Sequence, residues 1–278
     1  MGILVVERLG PALGAELSGV DFSGLISADV ADALRQALLE HMLLLVRGQV
    51  LSDDEHLAFV SVFGRIAVER AGAIRSVSNE PDGTLGPMAA AWHSDFMFFP
   101  HPFQAISLYG LEIPSSGTQT RFANGVLAAS TLPADLRTQL AGLEGRALTE
   151  VMVASPDRVQ FRTGRRDGLD PHQLRPVLWP HPASGEPILA VWEQQTDAIF
   201  PLEPDESDDL LEVLFAHLYR PDHVYVHEWQ RDDLLIWDNL ALQHSRPYVG
   251  QEEPRILRRI CVGEEQGHLW EKYASARS

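Results

Sequence analysis

Cysteine is almost absent from this chain. The single residue of this type, Cys261, excludes an internal disulfide and fits a reducing compartment. The N-terminus lacks a basic segment followed by a long apolar core, which is the pattern of a secretory signal peptide. Long apolar runs are missing as well, since a run such as Met42 to Val46 is far too short to span a bilayer. We therefore expect a cytoplasmic protein without a membrane-spanning segment.

Positive charge is also scarce. The chain has 22 Lys and Arg against 39 Asp and Glu, for a net charge of −17, and no basic stripe stands out. This balance argues against a nucleic-acid partner. Hydrophobic residues make up 45% of the 278 residues and charged residues 22%, which is typical of an ordinary globular protein. A small-molecule substrate is the expected partner, and homo-oligomerisation is left open.

The pattern along the chain predicts many short strands separated by turns, together with a few helices. The clearest helices begin after Ser27 and at Ser52, where a serine precedes an amphipathic segment. Periodicity is weak and Gly and Pro are frequent from 65 to 91, which predicts a lid over a site. The polar, basic segment 150–175 is interpreted as irregular. The many short strands with turns, together with a few helices, predict a barrel or jelly roll.

One stretch places a histidine and a carboxylate inside an otherwise apolar run. His93 and Asp95 are two positions apart, so on a strand they project from the same face, about 6–7 Å apart. An imidazole and a carboxylate at that separation can converge on one metal ion. Taken alone, an exposed loop pair or a simple hydrogen bond explains the pattern better.

A second stretch supplies further candidates near the C-terminus. His244 follows a strand and a turn, and Arg255 and Arg259 lie eleven and fifteen residues later, four apart on a predicted strand. Arginine is always charged and binds carboxylates in a bidentate manner, so two arginines inside a barrel require anions. His93, Asp95 and His244 together form a two-histidine, one-carboxylate set, which suits ferrous iron with open coordination positions.

Four motifs are similar to those of the taurine/2,4-dichlorophenoxyacetate dioxygenase family of iron(II)- and 2-oxoglutarate-dependent oxygenases. Trp92-His93-Ser94-Asp95 resembles W-H-[ST]-D, and Trp237-Asp238-Asn239 followed by His244 resembles W-D-N-x4-H. The segment 255–259 resembles R-x3-R, and 117–123 resembles G-G-x-T-x-F-A. Together these motifs extend the resemblance over nearly the whole chain.

The resemblance implies a fold and an activity. The fold would be mainly β with flanking helices (α+β) around a double-stranded β-helix, the cupin-like jelly roll, in a single domain over 1–278 with its lid at 65–91. Fe(II), 2-oxoglutarate and O2 would be the cofactor and cosubstrates, and the products would include succinate and CO2. Asp95 leaves no ligand position for a halide, so a hydroxylase-type oxygenase is implied.

The resemblance also implies roles for individual residues. The catalytic iron ligands would be His93, Asp95 and His244. Thr120 and Arg255 would bind the distal carboxylate of 2-oxoglutarate. Arg259 would lie by the other carboxylate of 2-oxoglutarate or by an anionic group of the substrate.

The substrate is where the sequence departs from the family. Apolar residues surround the W-H-S-D motif, and Phe96 directly follows Asp95, where family members often contact substrate. Trp192, at the end of a predicted strand, is interpreted either as pocket-lining or as core, whereas Phe98 and Phe99 are interpreted as core. These features put taurine or phenoxyacetate in doubt and favour a partly apolar or aromatic metabolite of secondary metabolism or catabolism.

Two other functions compete with the oxygenase. A jelly-roll sensor would bind 2-oxoglutarate and metal without catalysis, but it would not need the complete set of ligands. A zinc hydrolase on a cupin-like barrel would leave Thr120 and Arg255 without a role.

Overall fold

The structure is a computed structural model that describes residues 3–69, 72–80, 86–116, 118–148, 153–155, 158–160 and 172–264. It is mainly β, as expected from the many short apolar runs. The strands are, in chain order, β1 (Val5–Arg8), β2 (Ala15–Ser18), β3 (Leu43–Val46), β4 (Ile74–Ser78), β5 (Ala90–His93), β6 (Ala105–Glu112), β7 (Gln119–Asn124), β8 (Glu144–Leu148), β9 (Val153–Ser155), β10 (Arg158–Gln160), β11 (His172–Pro176), β12 (Leu178–Pro180), β13 (Pro187–Leu189), β14 (Thr196–Phe200), β15 (Val224–Glu228), β16 (Leu234–Asp238), β17 (Leu242–Arg246) and β18 (Ile256–Val262).

The α-helices are α1 (Ala28–His41), α2 (Asp53–Ser61), α3 (Gly125–Ser130), α4 (Ala134–Gln139) and α5 (Pro204–Leu218), and side chains cap the N-termini of the first three. Ser27 caps α1 by accepting the Val30 N–H, and Ser52 forms a reciprocal capping box with Glu55 at the start of α2. These two predicted helix starts are confirmed.

The larger sheet has seven strands in the order β1-β2-β3-β16-β6-β18-β4. Its central strands are buried on both faces, so they are almost continuously apolar instead of alternating. In β16, for example, Leu234 and Ile236 pack on the helix side with Phe59 of α2, whereas Leu235 and Trp237 point to the opposite side.

A second sheet has four strands in the order β15-β7-β17-β5 and faces the inner side of the larger one, whereas the remaining strands form a three-stranded sheet, β11-β8-β14, and the pairs β10-β9 and β12-β13. Phe122 of β7 and Trp237 of β16 meet edge to face between the sheets, with ring centroids 5.2 Å apart. Leu242 of β17 and Leu257 of β18 belong to the same buried cluster. The two sheets therefore enclose an interior whose side chains come from both. The predicted class, mainly β with flanking helices, is confirmed.

The predicted lid, 65–91, and the segment 150–175, which was interpreted as irregular, each contain strands. Strand β4 lies within the range 65–91 and pairs with β18, where Val77 is opposite Leu257. Its sequence has only two apolar residues in five, which is why periodicity did not reveal it. Strands β9 and β10 fall within 150–175 and β11 begins in it, whereas the other residues of this segment lie outside the described part. Whether 65–91 acts as a lid stays a prediction. Across the described residues, no helix is long and apolar enough to cross a membrane.

A polar cluster lies beneath the larger sheet on its helix side. His56 of α2 is buried, and its Nε2 lies 2.7 Å from the Ser107 hydroxyl, which itself donates to the Leu235 carbonyl. The Arg258 Nε–H donates to His56 Nδ1 at 3.0 Å. Nδ1 is therefore an acceptor and the imidazole is neutral. Burial, followed by the charge of Arg258, lowers the pKa of His56 to about 3.

This cluster predicts a loss of stability in acid. In the unfolded chain His56 takes up a proton below its ordinary pKa of about 6.5, whereas the folded chain resists protonation down to about pH 3. The free energy of unfolding should therefore fall by up to about 1.4 kcal/mol for each pH unit across this window. For the His56→Gln variant, the free energy of unfolding measured with urea at several pH values should depend less steeply on pH than that of the wild type.

The exposed His101 provides the control variant His101→Gln, which leaves the buried cluster intact. If the free energy of unfolding changed with pH equally in His56→Gln and in the wild type, the neutral, buried imidazole would be contradicted.

Candidate metal centre

The three predicted ligands meet where β17 pairs with β5. His244 lies directly opposite His93 in this antiparallel pair, and the two ring centroids are 4.1 Å apart. Asp95 follows two residues after His93, with its Oδ1 3.5 Å from His93 Nε2 and 3.7 Å from His244 Nε2. One ligand atom from each residue lies within 4.8 Å of the others. The strand ends at His93, so Asp95 belongs to a turn and does not share a strand with His93 as the sequence analysis considered.

The two imidazoles are prepared to act as neutral ligands. His93 Nδ1 donates to the Ala91 carbonyl at 2.8 Å, which places Nε2 on the side of Asp95 as the atom that would bind a metal. Burial, and then the neighbouring His93, lowers the pKa of His244 to about 3. Since a metal binds only the unprotonated imidazole, this depression favours metal binding at neutral pH.

The Asp95 carboxylate is held in its charged form. Burial alone would raise its pKa, but Arg259, His244 and His93 together lower it to about 2. Arg259 makes the closest contact, with Nη2 donating to Asp95 Oδ2 at 2.6 Å. One carboxylate oxygen therefore faces the histidines while the other accepts from an arginine. This division of the two oxygens suits a monodentate metal ligand.

The second arm of Arg259 is also occupied. Its Nη1 donates to Glu69 Oε1 at 2.5 Å, and Arg75 Nη1 approaches the other Glu69 oxygen at 3.7 Å. Arg259 thus bridges two carboxylates. A negatively charged group that approached Arg259 would have to displace Glu69 or Asp95.

The backbone of Asp95 is fixed by Asn239, the last residue of the W-D-N motif. The Asp95 N–H donates to Asn239 Oδ1, and Asn239 Nδ2 donates to the carbonyls of Asp95 and Phe103, each at 2.9 Å. Asn239 is fully buried. It therefore attaches the turn that carries the carboxylate to the loop after β16.

The turn after Asp95 has an unusual backbone. Phe96 has a φ of 64°, a left-handed conformation that costs a bulky residue about 1–3 kcal/mol. The Phe99 N–H closes the turn on the Phe96 carbonyl at 3.0 Å. Buried Arg175 donates to the carbonyls of Met97 at 3.1 Å and Phe99 at 2.5 Å. Sequence reasoning placed Arg175 in a polar, irregular segment and missed this tether, since nothing local to position 175 reports it.

The aromatic residues of this segment differ in burial. Phe98 and Phe99 are buried, as the core interpretation expects, whereas Phe96 is half-buried and packs against Phe103 with centroids 4.6 Å apart. Phe96 therefore remains next to Asp95 at the edge of the interior.

Trp192 lies in the core, which favours the core interpretation over the pocket-lining one. It is only 1% exposed and packs with Met97, Ile188 and Leu240. Its Nε1 donates to the Ser94 hydroxyl at 3.0 Å, and Ser94 in turn donates to the Leu242 carbonyl. Trp192 thus supports the residue between the two ligands instead of facing a substrate. The apolar end of a strand is ambiguous in sequence because core and pocket both favour large aromatic residues.

The predicted anion-binding pair also comes together. Thr120 of β7 accepts hydrogen bonds at its Oγ1 from Trp229 Nε1 at 2.9 Å and from Arg255 Nη2 at 3.3 Å. Arg255 is 1% exposed, and its Nε has no hydrogen-bond partner within the described structure. Burial lowers the pKa of Arg255 to about 9, which still leaves it charged at neutral pH. A buried guanidinium without a carboxylate partner is the feature expected of a site for a carboxylate ligand.

The donor set fits ferrous iron. Two neutral imidazoles and one carboxylate supply three ligands and leave the remaining coordination positions open, the arrangement of non-haem iron(II) oxygenases. A closed structural zinc site would need a fourth protein ligand, and the described cluster of candidate ligands has three.

Comparison with known proteins agrees with this geometry. A family model described as taurine catabolism dioxygenase TauD, TfdA family matches residues 6–261. Pentalenolactone F synthase of Streptomyces avermitilis is 29% identical, over 91% of this chain and 92% of its own. The (S)-phenoxypropionate/alpha-ketoglutarate-dioxygenase of Sphingobium herbicidovorans is 30% identical, over 91% of this chain and 92% of its own.

A solved structure has the same architecture. The crystal structure of AAD-2 in complex with Mn(II) and N-oxalylglycine superposes with a TM-score of 0.80 at 25% identity, covering 94% of this chain and 97% of the other. The predicted jelly-roll fold is thereby confirmed.

The position of Asn239 predicts an effect on metal affinity. Asn239→Ala frees the backbone of Asp95, so the affinity for Mn(II), followed by the paramagnetic signal of the free ion, should fall by about 10- to 100-fold. Asn124→Ala is the matched control, because Asn124 is equally buried and makes two hydrogen bonds, to the Leu127 N–H and the Ala12 carbonyl. Equal Mn(II) affinities for the two variants would show that Asn239 does not position the ligand.

Proposed function

Since the chain belongs to the taurine catabolism dioxygenase TauD, TfdA family, we propose that it hydroxylates an unactivated C–H bond of a small organic substrate. The chain is a 2-oxoglutarate-dependent non-haem iron oxygenase that uses Fe(II), 2-oxoglutarate and O2. The single observation that carries the proposal is the convergence of His93, Asp95 and His244 within 4.8 Å of one another.

The proposed roles follow the geometry. His93, Asp95 and His244 hold Fe(II), and Thr120 and Arg255 bind the distal carboxylate of 2-oxoglutarate. When bound, the iron supplies the redox chemistry by which O2 oxidises 2-oxoglutarate to succinate and CO2 and inserts one oxygen atom into a substrate C–H bond. The contacts of Thr120 and Arg255 described above support this assignment, because they leave a buried positive charge facing the interior.

The remaining residues of the site position these groups. Arg259 orients the Asp95 carboxylate and keeps it charged. Asn239 and Arg175 hold the two ends of the turn that carries Asp95 and Phe96. We propose that this fixed turn presents the carboxylate in one orientation and that its aromatic residues limit the access of water.

A partly apolar or aromatic substrate is proposed. Half-buried Phe96 beside the carboxylate supports it, as does the relative that is named for phenoxypropionate. Arg259, proposed from the resemblance to meet an anionic group, is already paired with Glu69 and Asp95. We therefore propose that the end of the substrate near Arg259 is uncharged. Secondary metabolism or catabolism is the proposed setting.

We further propose that residues 1–278 act as one cytoplasmic oxygenase domain with a lid within 65–91. The contact from Glu69 to Arg259 supports the lid, because it brings a residue of this range to the metal centre.

The proposal predicts substrate-dependent formation of succinate. Purified protein with Fe(II), ascorbate and 2-oxoglutarate should release succinate with at least one member of a panel of aromatic and alicyclic metabolites. In His93→Ala or His244→Ala the rate should fall by about 1000-fold or more, since the loss of a metal ligand removes several kcal/mol of stabilisation. Each carboxylic acid of the panel is tested beside its uncharged amide, and the amide should give the higher rate of succinate formation because the end of the substrate near Arg259 is proposed to be uncharged.

Succinate formation that survives both histidine variants would contradict the proposed iron site. Tight 2-oxoglutarate binding with no succinate from any member of the panel would instead support a non-catalytic sensor.

A further inference from the structure

A second buried arginine lies beside the proposed 2-oxoglutarate site. Arg246, the last residue of β17, is 6% exposed. Its Nη2 donates to the carbonyls of Gly86 and Met88, whereas its Nε and Nη1 are buried and have no hydrogen-bond partner within the described structure. Neither the proposed metal site nor the motifs of the sequence assign a role to this side chain.

The strand register places Arg246 next to Thr120. In the β17–β7 pair, His244 is opposite Phe122 and Ser245 is opposite Arg121, so the next step brings Arg246 opposite Thr120. Cross-strand neighbours on one face have Cβ atoms about 4.5–5.5 Å apart. The irregularity in the neighbouring β17–β5 pair adds its extra residue to β5, because His244 is opposite His93 and Arg246 is opposite Ala90. Strand β17 is therefore regular, and Arg246 shares a face with His244.

Thr120 consequently neighbours Arg246 by register and contacts Arg255 by a hydrogen bond. Arg255 donates to Thr120 Oγ1, and the charge of Arg246 acts on Arg255. Oγ1 already accepts from Trp229 and Arg255, so its own hydrogen is available for an acceptor. Among the described ion pairs, none joins a carboxylate to Arg246 or Arg255. The cluster therefore offers two positive charges and a hydroxyl donor to a ligand.

Two like charges buried this close together require an anion. Burial of an uncompensated charge is unfavourable, and the two guanidinium groups also repel each other. The contacts of Arg246 with two carbonyls compensate it only in part, because three of its five N–H groups are on the Nε and Nη1 atoms that have no partner. A carboxylate between the two guanidinium groups would satisfy both.

We propose that Arg246 is a second arginine for the distal carboxylate of 2-oxoglutarate, which it clamps together with Arg255 and Thr120. This inference rests on the proposed function, which assigns the cosubstrate to this pocket. It adds a positioning residue for which the sequence motifs give no signal. Arg246 would then contact the carboxylate of 2-oxoglutarate and also the carbonyls of Gly86 and Met88, in the segment that leads into β5.

The test removes the carboxylate from the ligand and the arginine from the protein in turn. 2-Oxovalerate has the same five-carbon chain as 2-oxoglutarate, with a methyl group in place of the distal carboxylate. Both ligands are titrated into the anaerobic Fe(II) protein, and the dissociation constants are read from the charge-transfer absorbance. The variants are Arg246→Met, which retains the apolar stem, and Arg246→Lys, which retains the charge.

Arg246→Met should weaken 2-oxoglutarate binding by about 10- to 100-fold, as expected for the loss of a hydrogen bond to a charged group. Its affinity for 2-oxovalerate should stay within about threefold of the wild type, and Arg246→Lys should be intermediate for 2-oxoglutarate. The control is Arg121→Met, an exposed arginine on the other face of β7, which should change neither constant.

If Arg246→Met weakened both ligands equally, or neither, the clamp would be wrong and Arg246 would serve only to hold 86–88. If Arg246→Met did not fold, the Arg246→Lys comparison would decide by the same criterion. Absence of 2-oxoglutarate binding in the wild type would instead contradict the proposed function itself, and the clamp with it.

Discussion

The antiparallel pairing of β17 with β5 places His244 directly opposite His93, and the geometry of the candidate centre depends on this cross-strand pair. Two imidazoles with centroids 4.1 Å apart cannot both be protonated without strong repulsion, and burial next to His93 lowers the pKa of His244 to about 3. Because β5 ends at His93, the chain turns and brings Asp95 close to both imidazoles. A metal ion that binds there satisfies all three groups.

Strand β18 carries two neighbouring arginines, Arg258 and Arg259, that point to opposite sides of the sheet and have different roles. Arg258 points to the helix side, where His56, Asp53 and the Leu51 carbonyl accept its hydrogen bonds. Arg259 points to the interior and contacts Asp95. One strand thus fastens a helix to the sheet and sets the electrostatics of the metal centre. The net charge of −17 gives no hint of this, since buried arginines dominate the local field.

The sequence predicted the fold class, and it predicted that His93, Asp95 and His244 lie together, because motif spacing reports directly on strand and loop positions. The sequence did not reveal strands β4 and β17, because each has too few apolar residues to be distinguished from a loop. Nor did it reveal the left-handed Phe96 or the buried Arg246, since residues distant in sequence hold both. Arg175 holds the turn after Phe96, and the carbonyls of Gly86 and Met88 accept from Arg246. Trp192 was ambiguous for the same reason: its partner Ser94 is 98 residues away. Tertiary contacts decide such positions.

The central claim is that His93, Asp95 and His244 bind Fe(II) together with 2-oxoglutarate. Anaerobic absorption spectroscopy tests it most directly, because a 2-oxo acid chelated to ferrous iron gives a metal-to-ligand charge-transfer band. The band should appear when 2-oxoglutarate is added to the Fe(II) protein, shift when the true substrate binds, and be absent in Asp95→Ala. A wild-type protein without the band, or an Asp95→Ala variant with the full band, would contradict the account.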